Sequence, residues 1–368
     1  MHGLLFSVAE VVHPPSLPEH MKTFARLGHV LLLIACAELA TPAARAQSKG
    51  VPIEAERATT PQTLLDQAEL LRTAGMLLKS DAISAQLAAP VPGPVQLVKA
   101  RTKTLRPREV AERARTGAVH VGWYYLCPRC DHWHAKLLGG YAIARDTVVT
   151  AQHCVEPDKT LMREGYFIAV DASGQVHPVT AVLAKSKSMD AAILRVGGGD
   201  LTPLALNDNV APGDAAYCLS DPLGQNGYFS EGIVNRFLWL PGRRGEPGSI
   251  DELKLLRVNV STEWAPGSSG AAVLDDCGNV IGHVATISPL AEGGRSTTVK
   301  TPEKKSDDAP EKSDSEKTPP KAAARDRFNG AVLITLHAAV PARGVLALVR
   351  SLNESTPTKS AAKTGSRR

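Results

Sequence analysis

With 368 residues, 43% of them hydrophobic, the chain can bury the cores of two units, or of one large β-domain with tails. Its net charge of +5 is modest, and much of the basic excess sits in residues 99–115 and 359–368 without interleaved aromatics. That pattern excludes a nucleic-acid footprint, and no apolar stretch is long enough for a transmembrane span.

Residues 1–46 read as an upstream extension and a signal peptide. Met21 is the expected start, Lys22 and Arg26 supply a basic n-region, and residues 30–35 centre an apolar h-region. Ala44-Arg45-Ala46 is a small-x-small cleavage pattern. The mature chain is expected to be exported, to the periplasm or beyond the cell. Within this segment Leu33-Ile34-Ala35-Cys36 resembles a bacterial lipobox, which would place a lipid anchor on Cys36. The competing reading leaves Cys36 in a discarded peptide. The five remaining cysteines, Cys127, Cys130, Cys154, Cys218 and Cys277, would meet an oxidising compartment in which some should pair.

Residues 47–116 are expected to be a helical and disordered N-terminal extension. Thr60 caps one predicted helix, Pro61 takes its first position, and Leu64, Leu65, Leu70 and Leu71 fall at helical spacing. Residues 106–115 predict a short amphipathic helix with Pro107 in its first turn. From Ala118 the pattern becomes strand-like. Strands are predicted at 118–125, 135–144, 147–151, 166–169, 176–184 and 191–196. A second set follows at 215–219, 232–240, 254–260, 271–274, 280–287 and 331–337.

Many short strands with little helix define an all-β chain. The Gly197-Gly198-Gly199 run divides it into units 117–200 and 201–352. Residues 293–326, rich in Lys, Asp, Glu, Ser and Pro, predict a disordered insertion inside the second unit. Pro341 opens a C-terminal helix over 342–352, and 353–368 form a basic tail.

Three chemistry-bearing residues lie beside predicted strands. Ala265-Pro266-Gly267-Ser268-Ser269-Gly270 sets a serine between glycines ahead of an apolar strand. The N–H groups of Gly267 and Ser269 can then face a developing oxyanion. His153, in Thr150-Ala151-Gln152-His153-Cys154, is the candidate base, and Asp190, in Ser188-Met189-Asp190-Ala191, the candidate acid that orients it. Each residue alone would be an ordinary loop or strand-end residue. Together they supply nucleophile, base and acid.

The order His153, Asp190, Ser269 and the motifs Thr-Ala-x-His-Cys, Asp-x-Ala-x-Leu and Gly-x-Ser-Gly resemble those of chymotrypsin-like serine proteases. The bacterial trypsin-like, high-temperature-requirement branch is the most similar. The resemblance runs over about residues 118–352. It implies two six-stranded antiparallel β-barrels with a C-terminal helix, and peptide hydrolysis through an acyl-enzyme. It also implies protein or peptide substrates and no cofactor. Ser268 stands where digestive members carry an activating aspartate, so that route is expected to be missing. Glu263, six residues before Ser269, stands where trypsin-like members select basic side chains, or it begins a solvated loop. Cys218 and Cys277 fall near strands that are neighbours in this family, which implies a bridge between them.

Cys127-Pro128-Arg129-Cys130-Asp131-His132-Trp133-His134 has a separate signature. Cys-x-x-Cys with His132 and His134 nearby matches a zinc knuckle, while export favours a Cys127–Cys130 disulfide; a redox pair is the third reading. Two further functions stay open: a non-catalytic envelope binding protein or lipoprotein that keeps this fold, and a metal-dependent binding protein built on the knuckle.

Overall fold

The computed structural model describes residues 62–291 and 332–355. The signal segment with Cys36, the 293–326 insertion and most of the tail lie outside the described residues. The described residues belong to one compact unit, Glu56–Arg368.

Two helices open the described chain, α1 (Gln62–Thr73) and α2 (Ser80–Ala88). Gly75, at φ +69°, ends α1. Its N–H reaches Arg72 O and that of Met76 reaches Leu71 O, a paired C-terminal cap that only the left-handed backbone permits. The extension is bound to the first β-unit. Ile83 is fully buried, Tyr124 Oη donates to Glu69, and the Gln67 and Gln86 side chains accept from the N–H groups of Val176 and Val182. Beyond α2 the chain runs as a strap without regular structure. Asn353 grips Val95, and Asn279 grips Arg101, each side chain bonding both the N–H and the C=O of its partner. Helix α3 (Pro107–Gly117) follows; Glu109 reaches back to the N–H of Arg106, and Val110 and Ala114 are buried.

The first β-unit contains β1 (Val119–Leu126), β2 (Trp133–Leu138), β3 (Tyr141–Ala144) and β4 (Thr147–Thr150). It is completed by β5 (Glu164–Asp171), β6 (Val176–Ser186) and β7 (Ala191–Val196). Their order is β2-β1-β5-β6-β7-β4-β3, antiparallel throughout. An Ala118–Tyr141 bridge and a 3.1 Å bond from Val119 N–H to Gly140 O return β3 to the start of β1. The expected six-stranded ring is therefore joined on one side by this short contact, with β2 as an additional outer strand. The strand predicted over 135–144 is broken at Gly139-Gly140 for a steric reason: a Cβ on Gly139 would lie 2.5 Å from the backbone N of Ala271.

The second unit is a closed antiparallel barrel of order β10-β13-β12-β11-β8-β9. Its strands are β8 (Ala215–Ser220), β9 (Tyr228–Trp239), β10 (Leu256–Val260), β11 (Ala272–Leu274), β12 (Val280–Ala291) and β13 (Val332–Pro341). A single turn, α4 (Ile250–Leu253), precedes β10, and α5 (Ala342–Ser355) closes the described chain. On α5, Val345, Leu348, Val349 and Leu352 share the buried face, the pattern expected of an amphipathic helix docked on a sheet.

No disulfide joins the five described cysteines in this structure, so neither the expected Cys127–Cys130 nor the Cys218–Cys277 bridge is formed in it. Cys218 is paired in register with Val273, whereas Cys277 sits in the turn after β11, beyond the end of that ladder. The Cys218 thiol is instead packed in the barrel core, where burial pushes it up to about 12.

The Gly139 contact joins the two β-units backbone to backbone. Gly139→Ala is expected to cost about 1–3 kcal/mol by overpacking, read as a lower midpoint in urea unfolding.

Candidate active site

His153 and Asp190 meet because two turns of the first unit converge. Thr150 ends β4, and Gln152–Cys154 form a 3-10 turn that presents the imidazole. Asp190 lies between β6 and β7 at φ +65°, a conformation that non-glycine residues rarely adopt. Its N–H donates to Ser186 O, and buried Met189 beside it packs under Gly344 of α5.

Both carboxylate oxygens of Asp190 then face His153. Nδ1 is 2.9 Å from Oδ2 and 3.1 Å from Oδ1, and the N–H of His153 donates to Oδ1 at 3.1 Å. Burial acts to raise the Asp190 carboxyl, but the His153 hydrogen bonds outweigh it and hold the group below the ordinary carboxylate range. The same bond to Asp190, with a smaller one from Cys154, pushes His153 up to about 10. With Nδ1 engaged, Nε2 is the nitrogen left to exchange a proton.

A buried histidine fixes Asp190 from the other unit. His283 on β12 is fully buried, and its Nε2 donates to the backbone oxygen of Asp190 at 3.0 Å. Its Nδ1 accepts from Tyr141 Oη of β3 at 3.4 Å, so both ring nitrogens have partners in a neutral tautomer. Burial lowers its pKa to about 4. Buried Arg257 adds a bond from its guanidinium to Ser188 O in the same turn.

The serine loop is pressed against the turn that carries His153. A Cβ on Gly270, at φ +83°, would lie 2.3 Å from Gly139 O and 2.9 Å from Ala151 N, and the Cys154 thiol points at Ser269 O at 3.8 Å. Ser269 therefore adjoins the residues that flank His153. Among the described residues no hydrogen bond joins its hydroxyl to the imidazole. The N–H groups of Gly267 and Ser269 likewise donate to no described group. Gly267, at φ +108°, faces Asp221 O, where a Cβ would lie at 2.7 Å, and Pro266 O accepts from the N–H of Leu223.

Ser268 differs sharply from its neighbour: it is fully buried and its hydroxyl has no partner. Glu263 is exposed, and one of its carboxylate oxygens accepts from Tyr228 Oη at 2.8 Å.

Sequence reasoning missed a second His–Asp pair. His120 on β1 contacts Asp221, in the turn after β8, at 2.5 Å, and the second carboxylate oxygen of Asp221 accepts from the N–H of Gly227. The pair ties the first unit to the turn on which Gly267 rests. Its available signal was Asp221-Pro222-Leu223-Gly224, a turn of the x-Pro-x-Gly type. Of the knuckle residues, the structure gathers Cys127, Cys130 and His134 and leaves His132 outside the group.

Two antiparallel β-units, one a closed barrel, with a His–Asp pair on the first and a glycine-flanked serine loop from the second set against it, define the chymotrypsin-like fold. Residues 139–282, which take in His153, Asp190 and Ser269, match the family described as a trypsin-like peptidase domain. No curated protein matches the chain. Among solved structures it is similar to the HtrA-type protease AlgW with a tripeptide, at 16% identity and a TM-score of 0.42. A variant of that protease, also with a tripeptide, gives 16% and 0.43. In both cases the match covers 68% of this chain and spans 64% of the protease's length.

The His283 contact carries a sign for pH. An unfolded histidine protonates near 6.5, whereas the buried ring resists protonation down to about 4. Its contribution to stability is therefore present above 6.5 and is lost as pH falls from there through about 4. His283→Ala is expected to cost about 2–4 kcal/mol, because it opens a cavity and strands the Tyr141 hydroxyl. Thermal unfolding scanned from pH 7 to pH 4 should show a shallower acid slope in the variant than in the wild type.

Proposed function

We propose that the protein is an exported serine endopeptidase, acting in the periplasm or outside the cell on protein or peptide substrates. The carrying observation is the Nδ1 contact of His153 with Asp190, beside a serine loop whose glycines permit close approach to the same turn. The signal-peptide pattern supports export.

In this reading Ser269 Oγ attacks the scissile carbonyl while Nε2 of His153 takes its proton. The imidazolium gains from the Asp190 carboxylate, which is held in place through its backbone by His283. The unclaimed N–H groups of Gly267 and Ser269 receive the tetrahedral oxyanion, a contribution of about 3–4 kcal/mol per donor in comparable sites. Collapse expels the amine, which takes the proton from His153. Water then attacks the acyl-Ser269 ester, with His153 again as base, and releases the acid. Glu263 keeps one carboxylate oxygen free of Tyr228, which suits pairing with a basic substrate side chain.

The reading assigns the two adjacent serines opposite fates. A fluorophosphonate probe should label the wild type and Ser268→Ala, and should fail to label Ser269→Ala. Because Ser268→Ala removes an unpaired buried hydroxyl, its stability should lie within about 1 kcal/mol of the wild type, or above it. A folded wild type that takes no label would leave a binding protein on this scaffold.

The base must be neutral to accept a proton, and Asp190 holds the proton on His153. We expect kcat/KM to rise with pH through the neutral range, along an acid limb whose inflection lies above 6.5 because the bond to Asp190 raises His153. Asp190→Asn should move that inflection down and lower the rate by about 10⁴-fold, as the imidazole tautomer is lost. A rate independent of pH between 6 and 9 would contradict the assignment.

A further inference from the structure

We propose that Cys127, Cys130 and His134 bind one zinc ion at the tip of the β1–β2 hairpin, with a fourth coordination position open to solvent. The site lies outside the peptidase machinery and does not depend on the proposed protease activity.

The hairpin ladder ends at the Leu126–Trp133 pair, and residues 127–132 make the turn. Within it the N–H of Cys127 donates to His132 O and the N–H of Asp131 donates to Cys127 O, which fold the loop back on itself. Asp131 takes a left-handed backbone at φ +53°, so the chain reverses directly after the second cysteine. This reversal brings His134 on β2 toward Cys130, with Nε2 3.1 Å from Sγ. Tyr125, the cross-strand partner of His134, lies with its ring 5.8 Å from the imidazole. Arg163 secures the far side of the turn through an ion pair with Asp131 at 2.7 Å.

The three ligand atoms lie within 4.8 Å of one another. Tetrahedral zinc, about 2.3 Å from each sulfur and about 2.0 Å from imidazole nitrogen, needs spacings of about 3.5–3.8 Å. Side-chain rotation alone supplies the difference, since Cys130 and His134 are exposed. The N–H of Arg129 points at Cys127 Sγ at 3.5 Å, a donor that favours the thiolate a metal requires. Two thiolates and one imidazole suit zinc among the abundant divalent ions, and three protein ligands leave one position for water or an added ligand. His132 is excluded from the set. The second group of possible ligand atoms, Asp275, Asp276 and Cys277, is committed to its own turn: Asp275 accepts from Asn207, Cys277 and Asn279.

The test uses the full chain, purified with a thiol reductant and exchanged into chelator-free buffer. Elemental analysis should find one zinc per chain in the wild type and in His132→Ala. It should find none in Cys127→Ser or Cys130→Ser, and at least a tenfold weaker retention in His134→Ala. Far-UV circular dichroism of each variant establishes that it is folded. Replacing zinc by cobalt(II) should give sulfur-to-cobalt charge-transfer absorption and the intense visible bands of a four-coordinate ion. Reduced wild type that retains no zinc and shows no cobalt–thiolate absorption would overturn the proposal. So would zinc that persists in folded Cys130→Ser, or protein isolated from the oxidising compartment two hydrogens lighter, with Cys127 bridged to Cys130.

Discussion

The hydrogen bond from buried His283 to the backbone oxygen of Asp190 is the constraint on which the rest of the site depends. A carboxylate in a left-handed turn has alternatives in solution. Here β12 of one unit and Tyr141 of the other hold that turn, and the Asp190 carboxylate faces His153. A neutral, fully satisfied imidazole in a dry interior is an expensive group to disturb. Asp190 is therefore positioned by the junction of the two units and not by its own strand alone.

The serine loop follows the same logic with backbone in place of side chains. Gly139, Gly267 and Gly270 each lie where a Cβ would meet another main chain at 2.3–2.7 Å. Their absent side chains let three segments from two units share one narrow space. His120 and Asp221 extend the arrangement, bracing the turn beneath Gly267 from β1. Ser269, His153 and Asp190 thus rest on contacts that cross the junction.

What could be read from the sequence was what local pattern encodes. Strand positions followed from alternation, and His153, Asp190 and Ser269 were visible because each combines a strand edge with a motif. The break at Gly139 was not, since its cause is Ala271, far along the chain. Helix α2 escaped notice although Gly75 marked the end of α1. His120, Tyr141 and His283 looked like ordinary strand residues, because a pairing across more than a hundred positions leaves no periodic signal. The family-implied Cys218–Cys277 bridge is not formed in this structure for a related reason: neighbouring strands do not fix where along the ladder two side chains fall.

The long β12–β13 ladder has a consequence for what the chain can tolerate. Its rungs run from Gly282–Pro341 to Ala291–Val332, so residues 292–331 connect two strand ends already held side by side. The entropy of closing such a connection grows only with the logarithm of its length, about 0.6 kcal/mol for each doubling. The ladder thereby uncouples that segment's size and composition from the stability of the barrel. Changes in its length or charge are therefore expected to have little effect on the fold, which makes it the natural place for the chain to diversify.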